Sequence, residues 1–395
     1  MHRHLAALLC SACLTLPAMA QEDPLRVGVL LGLTGPIESL AADMSKAAEI
    51  AAAEINDAGG ILGRRRVEVV LADNTCVDAS AARTAAERLV SAEDVSAIVG
   101  ADCSGATVAV VGNVSVPNGV PTVSPASTTP ALTGAAPGLF FRTAPSDARQ
   151  GAVLAEAAHE RGLSRIAITY TNNDYGIGLA QAFTEAFEAL GGEVVLSAAH
   201  EDGRGDYAAE VGALAASGAD ALLVIGYVDQ GGIGIVRAAV DTGAFERFVL
   251  ADGMLHEALV EELGGALDGS FGTIPGAVTP GSERFDALAA ENGLTGSGPY
   301  RGESYDAMAL VALAAQAAGS TERGAIAESI LDVANAPGEP ILPGELDRAI
   351  EILSEGGEID YVGATDVELT QEGDPAGRYR EMEISGSELK LVSVR

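Results

Sequence analysis

The chain has 395 residues, 48% of them hydrophobic, which is enough for two domains with separate cores. Its 56 acidic residues against 23 basic ones leave a net charge of −33. That charge excludes nucleic acid and anionic membrane surfaces as partners, because both repel such a surface.

The first twenty residues, MHRHLAALLCSACLTLPAMA, carry Arg3 between two histidines, an apolar stretch from Leu5 to Leu16, and Ala18-Met19-Ala20. This is the pattern of a secretory signal, with cleavage predicted before Gln21. The apolar stretch is too short for a permanent anchor, which wants about 20 residues. Cys13 stands where a lipid-bearing cysteine can stand, but Cys10 occupies the place of the leucine that such a motif requires, so no lipid anchor is expected. The mature chain is expected in the periplasm. Export removes Cys10 and Cys13 and leaves Cys76 with Cys103, a pair that reads as one disulfide in an oxidising compartment rather than two buried thiols. No histidines cluster with them, so no metal is expected.

From Leu25 onward, short β-branched runs alternate with Ala-rich segments of helical period. RVGVLLG precedes LAADMSKAAEIAAAEIN, RVEVVLAD precedes SAARTAAERLV, and SAIVG precedes ATVAVVGNV before the run VPTVSP. This alternation predicts a parallel sheet covered on both faces. GLFFRTAPSD reads as a join, after which the rhythm restarts. SRIAITYTN, EVVLSAAH, ADALLVIGY and FVLADGM are predicted strands, separated by the helical segments GLAQAFTEAFEALGG, YAAEVGALAASG and IGIVRAAVDTG. The pattern predicts two doubly wound α/β lobes rather than one large sheet. SYDAMALVALAAQAAG is helical in composition but assigns itself to neither lobe, and YREMEISGSELKLVSVR closes the chain with strand-like residues.

Catalytic patterns are missing. GIGLAQ and GGIGIVR lack the third glycine of a dinucleotide fingerprint, and neither a Walker GK[ST] loop nor a G-x-S-x-G elbow occurs. A triad of Ser104, His256 and Asp252 can be imagined, but unrelated polar residues explain it better. His159 reads as solvated, and Asp202, Asp206, Glu261 and Glu262 read as solvated faces. No enzyme activity and no cofactor are expected.

In doubly wound sheets ligands sit beyond the carboxyl ends of the strands. Five such ends carry polar or aromatic residues: VGADCSG, SPASTTP, TNNDYGIG, IGYVDQGG and LADGM. Ser104, Ser127 and Thr128 are neutral donors suited to a carboxylate. Asp252 is an acceptor suited to an ammonium, and Tyr175 and Tyr227 are walls for an apolar side chain. Separate anion and cation recognition around an apolar pocket suits a zwitterion held between two lobes.

These segments, in this order, with the opening LRVGVLLGLTGPIESLAADMSKAAEIAAAEINDAGGILGRRRVEVVLADN, resemble the substrate-binding proteins of branched-chain amino acid ABC importers. The resemblance covers nearly the whole mature chain and implies the type I periplasmic-binding fold. It implies a three-crossover hinge near Pro145, Pro275 and Ala376, with one lobe from 25–144 plus 277–376 and the other from 145–276 plus 377–395. It implies a Cys76–Cys103 disulfide, a carboxylate held by Ser104 and by the loop Ala126, Ser127 and Thr128, and an ammonium held by Asp252. Tyr175 and Tyr227 match its two cleft tyrosines. Leu40 stands where several members place an aromatic, Glu38 adds an acid to the same loop, and Asp252 stands where leucine-type members carry Glu. The resemblance further implies a monomer that partners an inner-membrane ABC permease and takes a small amino acid. Its wider membership also admits an amide, a urea-like solute, an aromatic or aliphatic carboxylate, or a sensory role.

Overall fold

The computed structural model describes residues 23–296 and 298–395; the predicted signal segment and its cleavage point before Gln21 lie outside them. The first lobe opens with β1 (Leu25–Leu31), α1 (Glu38–Asp57), β2 (Val67–Asp73), α2 (Ala79–Ser91), β3 (Ala97–Gly100) and α3 (Ser104–Val110). A π-helical turn, Val111–Ser115, carries α3 into α4 (Val116–Asn118), and β4 (Thr122–Ser124) and β5 (Phe140–Arg142) follow. The chain then passes to the second lobe with α5 (Asp147–Glu160), β6 (Arg165–Thr171), α6 (Asp174–Ala189), β7 (Glu193–His200), α7 (Ala208–Ala215) and β8 (Ala221–Ile225). That lobe continues through α8 (Gly231–Thr242), β9 (Phe248–Leu250), α9 (Glu257–Leu263) and β10 (Phe271–Pro275). The return passage brings α10 (Pro280–Glu291), α11 (Arg301–Ala318), α12 (Arg323–Ala334), β11 (Glu339–Ile341), α13 (Leu346–Ser354) and β12 (Ile359–Tyr361). A third passage ends in β13 (Tyr379–Ile384) and β14 (Leu389–Val394).

The first sheet has the order β2-β1-β3-β4-β5, with every pairing parallel. The second has the order β14-β13-β10-β9-β8-β6-β7, parallel from β10 to β7 and antiparallel through the C-terminal hairpin. β3, β4 and β8 are buried along their whole length, as strands covered on both faces must be. α1 buries Leu40, Met44, Ala48, Ala51 and Ile55 at spacings of three and four, so its apolar stripe faces the sheet. α11 is buried on nearly every side, packed against α1, α12 and the strands β3 and β4. This explains why its sequence shows no polar face, and it puts the segment on the first lobe. The predicted join GLFFRTAPSD also supplies β5, the edge strand of the first sheet.

Two features fix the frame around the cleft. Cys76 and Cys103 form the expected disulfide, with Cα atoms 5.2 Å apart, between the loops after β2 and β3. Arg142, completely buried at the end of β5, grips Asp374 with Nε and Nη2, both at 2.7 Å. Its Nη1 donates to the carbonyls of Ser127 (3.1 Å) and Thr129 (3.0 Å). One guanidinium therefore joins the β4 loop, the first passage and the third passage.

Candidate functional site

Both sheets change winding direction at an inner strand pair, β1 and β3 in the first, β6 and β8 in the second. Loops leaving the carboxyl ends of such strands diverge and open a crevice. Here the two crevices face each other, and residues of both lobes line one pocket with about 30 Å³ of free volume. Its walls include Leu40, Ser104, Ala126, Tyr175, Tyr227 and Asp252, six of the nine predicted ligand residues.

Each is held by local structure. Ser104 begins α3 and accepts a hydrogen bond from the backbone N–H of Thr129 (3.2 Å), which leaves its own O–H to donate into the pocket. The turn before it is pinned by Asp102, whose carboxylate accepts from the N–H of Gly32 (2.7 Å), Nδ2 of Asn74 (2.8 Å) and the N–H of Cys103 (2.9 Å). Burial still raises the pKa of Asp102, against the pull of those donors. Tyr175 and Tyr227 stack with centroids 5.5 Å apart. The Tyr175 hydroxyl donates to Oδ1 of Asp252 at 2.6 Å, and Asn173 Nδ2 donates to the Tyr227 hydroxyl at 3.1 Å. Burial, followed by the neighbouring acids, lifts the Tyr175 hydroxyl well above its usual pKa, so it remains a donor. Asp252 is 1% exposed, and burial raises its pKa too.

The other three predicted residues stand elsewhere. Glu38 is exposed at the start of α1 and does not reach the pocket. Its neighbour Ser39 instead crosses the cleft: its N–H (2.9 Å) and Oγ (2.8 Å) both donate to Asp229 of the second lobe. Ser127 turns inward, where its hydroxyl donates to the Ala101 carbonyl (3.1 Å) and pairs with Thr107. Thr128 is buried off the pocket wall, its backbone carbonyl accepting from the N–H of Asp147 (2.8 Å). SPASTTP thus lends the pocket Ala126 directly and otherwise braces the loop on β3 and Arg142. Its Thr129 and Pro130 meet Gly178 of α6 so closely that a Cβ there would stand 3.0 Å from Pro130 Cδ.

The pocket also has walls the sequence did not single out: Ile37, Met44 and Tyr300. Tyr300 has φ +67°, a left-handed conformation just before α11 that its sequence does not announce. His256 caps α9 through Nδ1, which accepts the N–H of Ala258 (3.2 Å), and it does not line the pocket, so the imagined triad is not assembled. Asp202, expected on a solvated face, is half-buried and accepts from the Thr171 hydroxyl at 2.6 Å.

Chemically the pocket offers apolar walls, the hydroxyls of Ser104, Tyr227 and Tyr300, and two buried acids, Asp102 and Asp252, with no lysine or arginine among the described residues that line it. A ligand that complements it carries an acceptor near Ser104, a donor or positive charge near Asp252, and an apolar body beside Leu40, Met44 and Tyr300.

A family model described as periplasmic binding protein matches residues 24–344. A chemotactic signal transduction substrate-binding protein, BasB, of Halobacterium salinarum is 30% identical, over 90% of this chain and 86% of its own. Leu/Ile/Val-binding protein homolog 1 of Brucella melitensis is 28% identical over 80% of this chain and 88% of its own. Among solved structures, the leucine-binding protein LivK of Thermotoga maritima superposes with a TM-score of 0.80 at 24% identity, covering 94% of this chain and 98% of that one.

Proposed function

The chain belongs to the periplasmic binding protein family, and from that premise we propose that it is the solute-binding component of an ABC importer, taking a branched-chain amino acid into the cleft and presenting it to an inner-membrane permease. The observation that carries this reading is the opposition of Ser104 and Asp252 across an apolar pocket built from both lobes. Ser104 donates to the α-carboxylate, Asp252 accepts from the α-ammonium, and Leu40 with Tyr300 walls the aliphatic side chain. Ligand contacts to both lobes stabilise the closed form, so binding shifts the population towards the shape a permease recognises. The lobes are taken as 25–144 plus 277–376 and 145–276 plus 377–395, a division supported by the three passages between the sheets. The protein works as an exported monomer in the periplasm, and as a carrier rather than an enzyme.

The test is thermal unfolding of the mature chain, stripped by unfolding and refolding, against aliphatic amino acids, amides and aromatic carboxylates. A ligand at about 100 times its Kd adds about 2.7 kcal/mol to native stability. Shifts confined to aliphatic amino acids, together with a loss of about 2–5 kcal/mol of binding in Asp252→Ala, are the expected result. Shifts given only by amine-free solutes sink Asp252 as an ammonium receptor. The 30% identity to a chemotactic binding protein favours one second reading, in which the same closed lobes face a membrane receptor. Capture of a permease rather than a receptor by the ligand-bound protein decides between them.

A further inference from the structure

A third carboxyl, after Asp252 and Asp102, lies buried beside the site without lining it. Asp147 is the first residue of α5, directly after the first passage between the lobes, and is completely inaccessible. The one hydroxyl that acts on it is that of Thr128, itself buried, and neither carboxyl oxygen makes a well-formed hydrogen bond. The cation that acts on it, Arg142, is committed elsewhere, with Nε and Nη2 on Asp374 and Thr133 and Nη1 on two carbonyls. One turn further along α5, Gln150 comes from the same helix face to Asp252 while its Nε2 donates to the Thr273 carbonyl at 3.2 Å. Asp147 and Asp252 thus share one desolvated region, and each acts on both Tyr175 and Tyr379.

Two buried carboxyls with no free cation between them do not both ionise, because desolvation and mutual repulsion each favour the neutral form. Burial first, and the neighbouring Asp252 second, push the Asp147 carboxyl well above its ordinary range. We infer that Asp147 and Asp252 act as one acid pair that holds a proton in the ligand-free protein and surrenders it when a ligand ammonium arrives. This rests on the amino-acid reading above and adds to it Asp147, a positioning residue that sets the charge on Asp252. The proton passes to water, the ammonium keeps its own protons, and no covalent bond changes. Of the groups facing the pair, Asp102 on the pocket wall is a third buried carboxyl, but three donors, from Gly32, Asn74 and Cys103, hold its charge, and the tyrosines and arginines do not compete. Tyr175 of α6, Tyr227 of the β8 loop and Tyr379 of β13 are all held protonated by burial. Arg142 is ion-paired, and Arg149 of α5 acts on Tyr379.

The sign follows directly. A carboxyl whose pKa is raised in the free protein and lowered by a bound ammonium releases a proton on binding, so affinity rises with pH, by up to about tenfold per pH unit for one proton. Two measurements test this. In the infrared, the mature ligand-free protein near neutral pH should show protonated-carboxyl intensity that Asp147→Asn lacks; equal intensity in the two proteins overturns the acid pair whatever the ligand. Calorimetric titration with leucine, in phosphate and in Tris at one pH, should give heats that differ in the wild type in proportion to the difference between the two buffers' ionisation enthalpies and agree in Asp147→Asn. Wild-type heats that agree overturn the coupling alone and need no variant to fold. No heat with leucine in either buffer overturns the coupling together with the amino-acid reading beneath it.

Discussion

The imidazole of His200 ends β7 in the interior, 3% exposed, with Nδ1 sharing a hydrogen bond with the Thr169 hydroxyl (2.9 Å) and Nε2 without a hydrogen bond, 3.9 Å from Asp202 Oδ1. Burial pulls its pKa down to about 4. The folded chain therefore keeps His200 neutral while the unfolded chain takes up a proton below about pH 6.5. Its contribution to stability is complete above that pH and is lost as the pH falls towards about 4, a loss on the order of 3 kcal/mol. Glu303 and Asp306, raised by burial to about 7 and about 6, slope the other way, since their contribution is lost as the pH rises through those values. His200→Gln isolates the histidine: urea midpoints of variant and wild type should converge or cross as the pH falls through that window. Parallel profiles would show that His200 titrates alike in both states. The same residue was legible only as the end of a strand, because burial of its ring depends on what packs over β7. Glu38 and Ser39 show the limit more sharply. Adjacent residues at a helix start point about 100° apart, and the sequence does not say which faces the opposite lobe. Asp147 reads as an ordinary first-turn acid, and only the packed fold around α5 shows that it is wholly buried.

At the scale of elements, the start of α1 and the loop after β8 form a clasp across the cleft. Asp229 accepts the N–H and hydroxyl of Ser39, while its own N–H donates to the Pro36 carbonyl at 3.3 Å. A carboxylate at the N-terminus of a 20-residue helix also meets the favourable end of its dipole. The clasp is exposed, so its worth is modest, about 1 kcal/mol. Because it joins the two lobes, it stabilises the closed arrangement directly, without touching the ligand. Asp229→Ala should therefore weaken ligand binding by roughly fivefold and enlarge the free protein in small-angle scattering. Unchanged affinity would mean that the clasp forms equally in the open form. The parallel strands and their covering helices were legible because buried β-branched runs and amphipathic stripes have opposite periods. β5, β10 and the pair β11 and β12 were not. Each is five residues or fewer, and its strand character comes from the neighbour it pairs with rather than from its own pattern.

Across the whole molecule, the Arg142–Asp374 pair occupies a different thermodynamic position from the clasp. It links the start of the first passage to the third passage, where the lobes pivot rather than where they meet. An interaction at the pivot persists in open and closed forms alike, so it contributes to folding but not to the balance between them. The pair is also desolvated, with Arg142 wholly buried and five of its contacts directed at Asp374, Thr133 and two loop carbonyls. Removing one charge strands the other in the interior, which costs about 3–5 kcal/mol. An exposed pair such as Arg26–Glu68 is worth roughly 0–1 kcal/mol. Asp374→Asn should accordingly lower the urea midpoint of free and ligand-saturated protein by the same amount while leaving Kd within about twofold. Asp229→Ala should do the reverse, moving Kd with little change in the midpoint of the free protein. If Asp374→Asn instead shifts Kd by tenfold or more, the pivot is not common to both states, and the hinge itself stores the preference for closure.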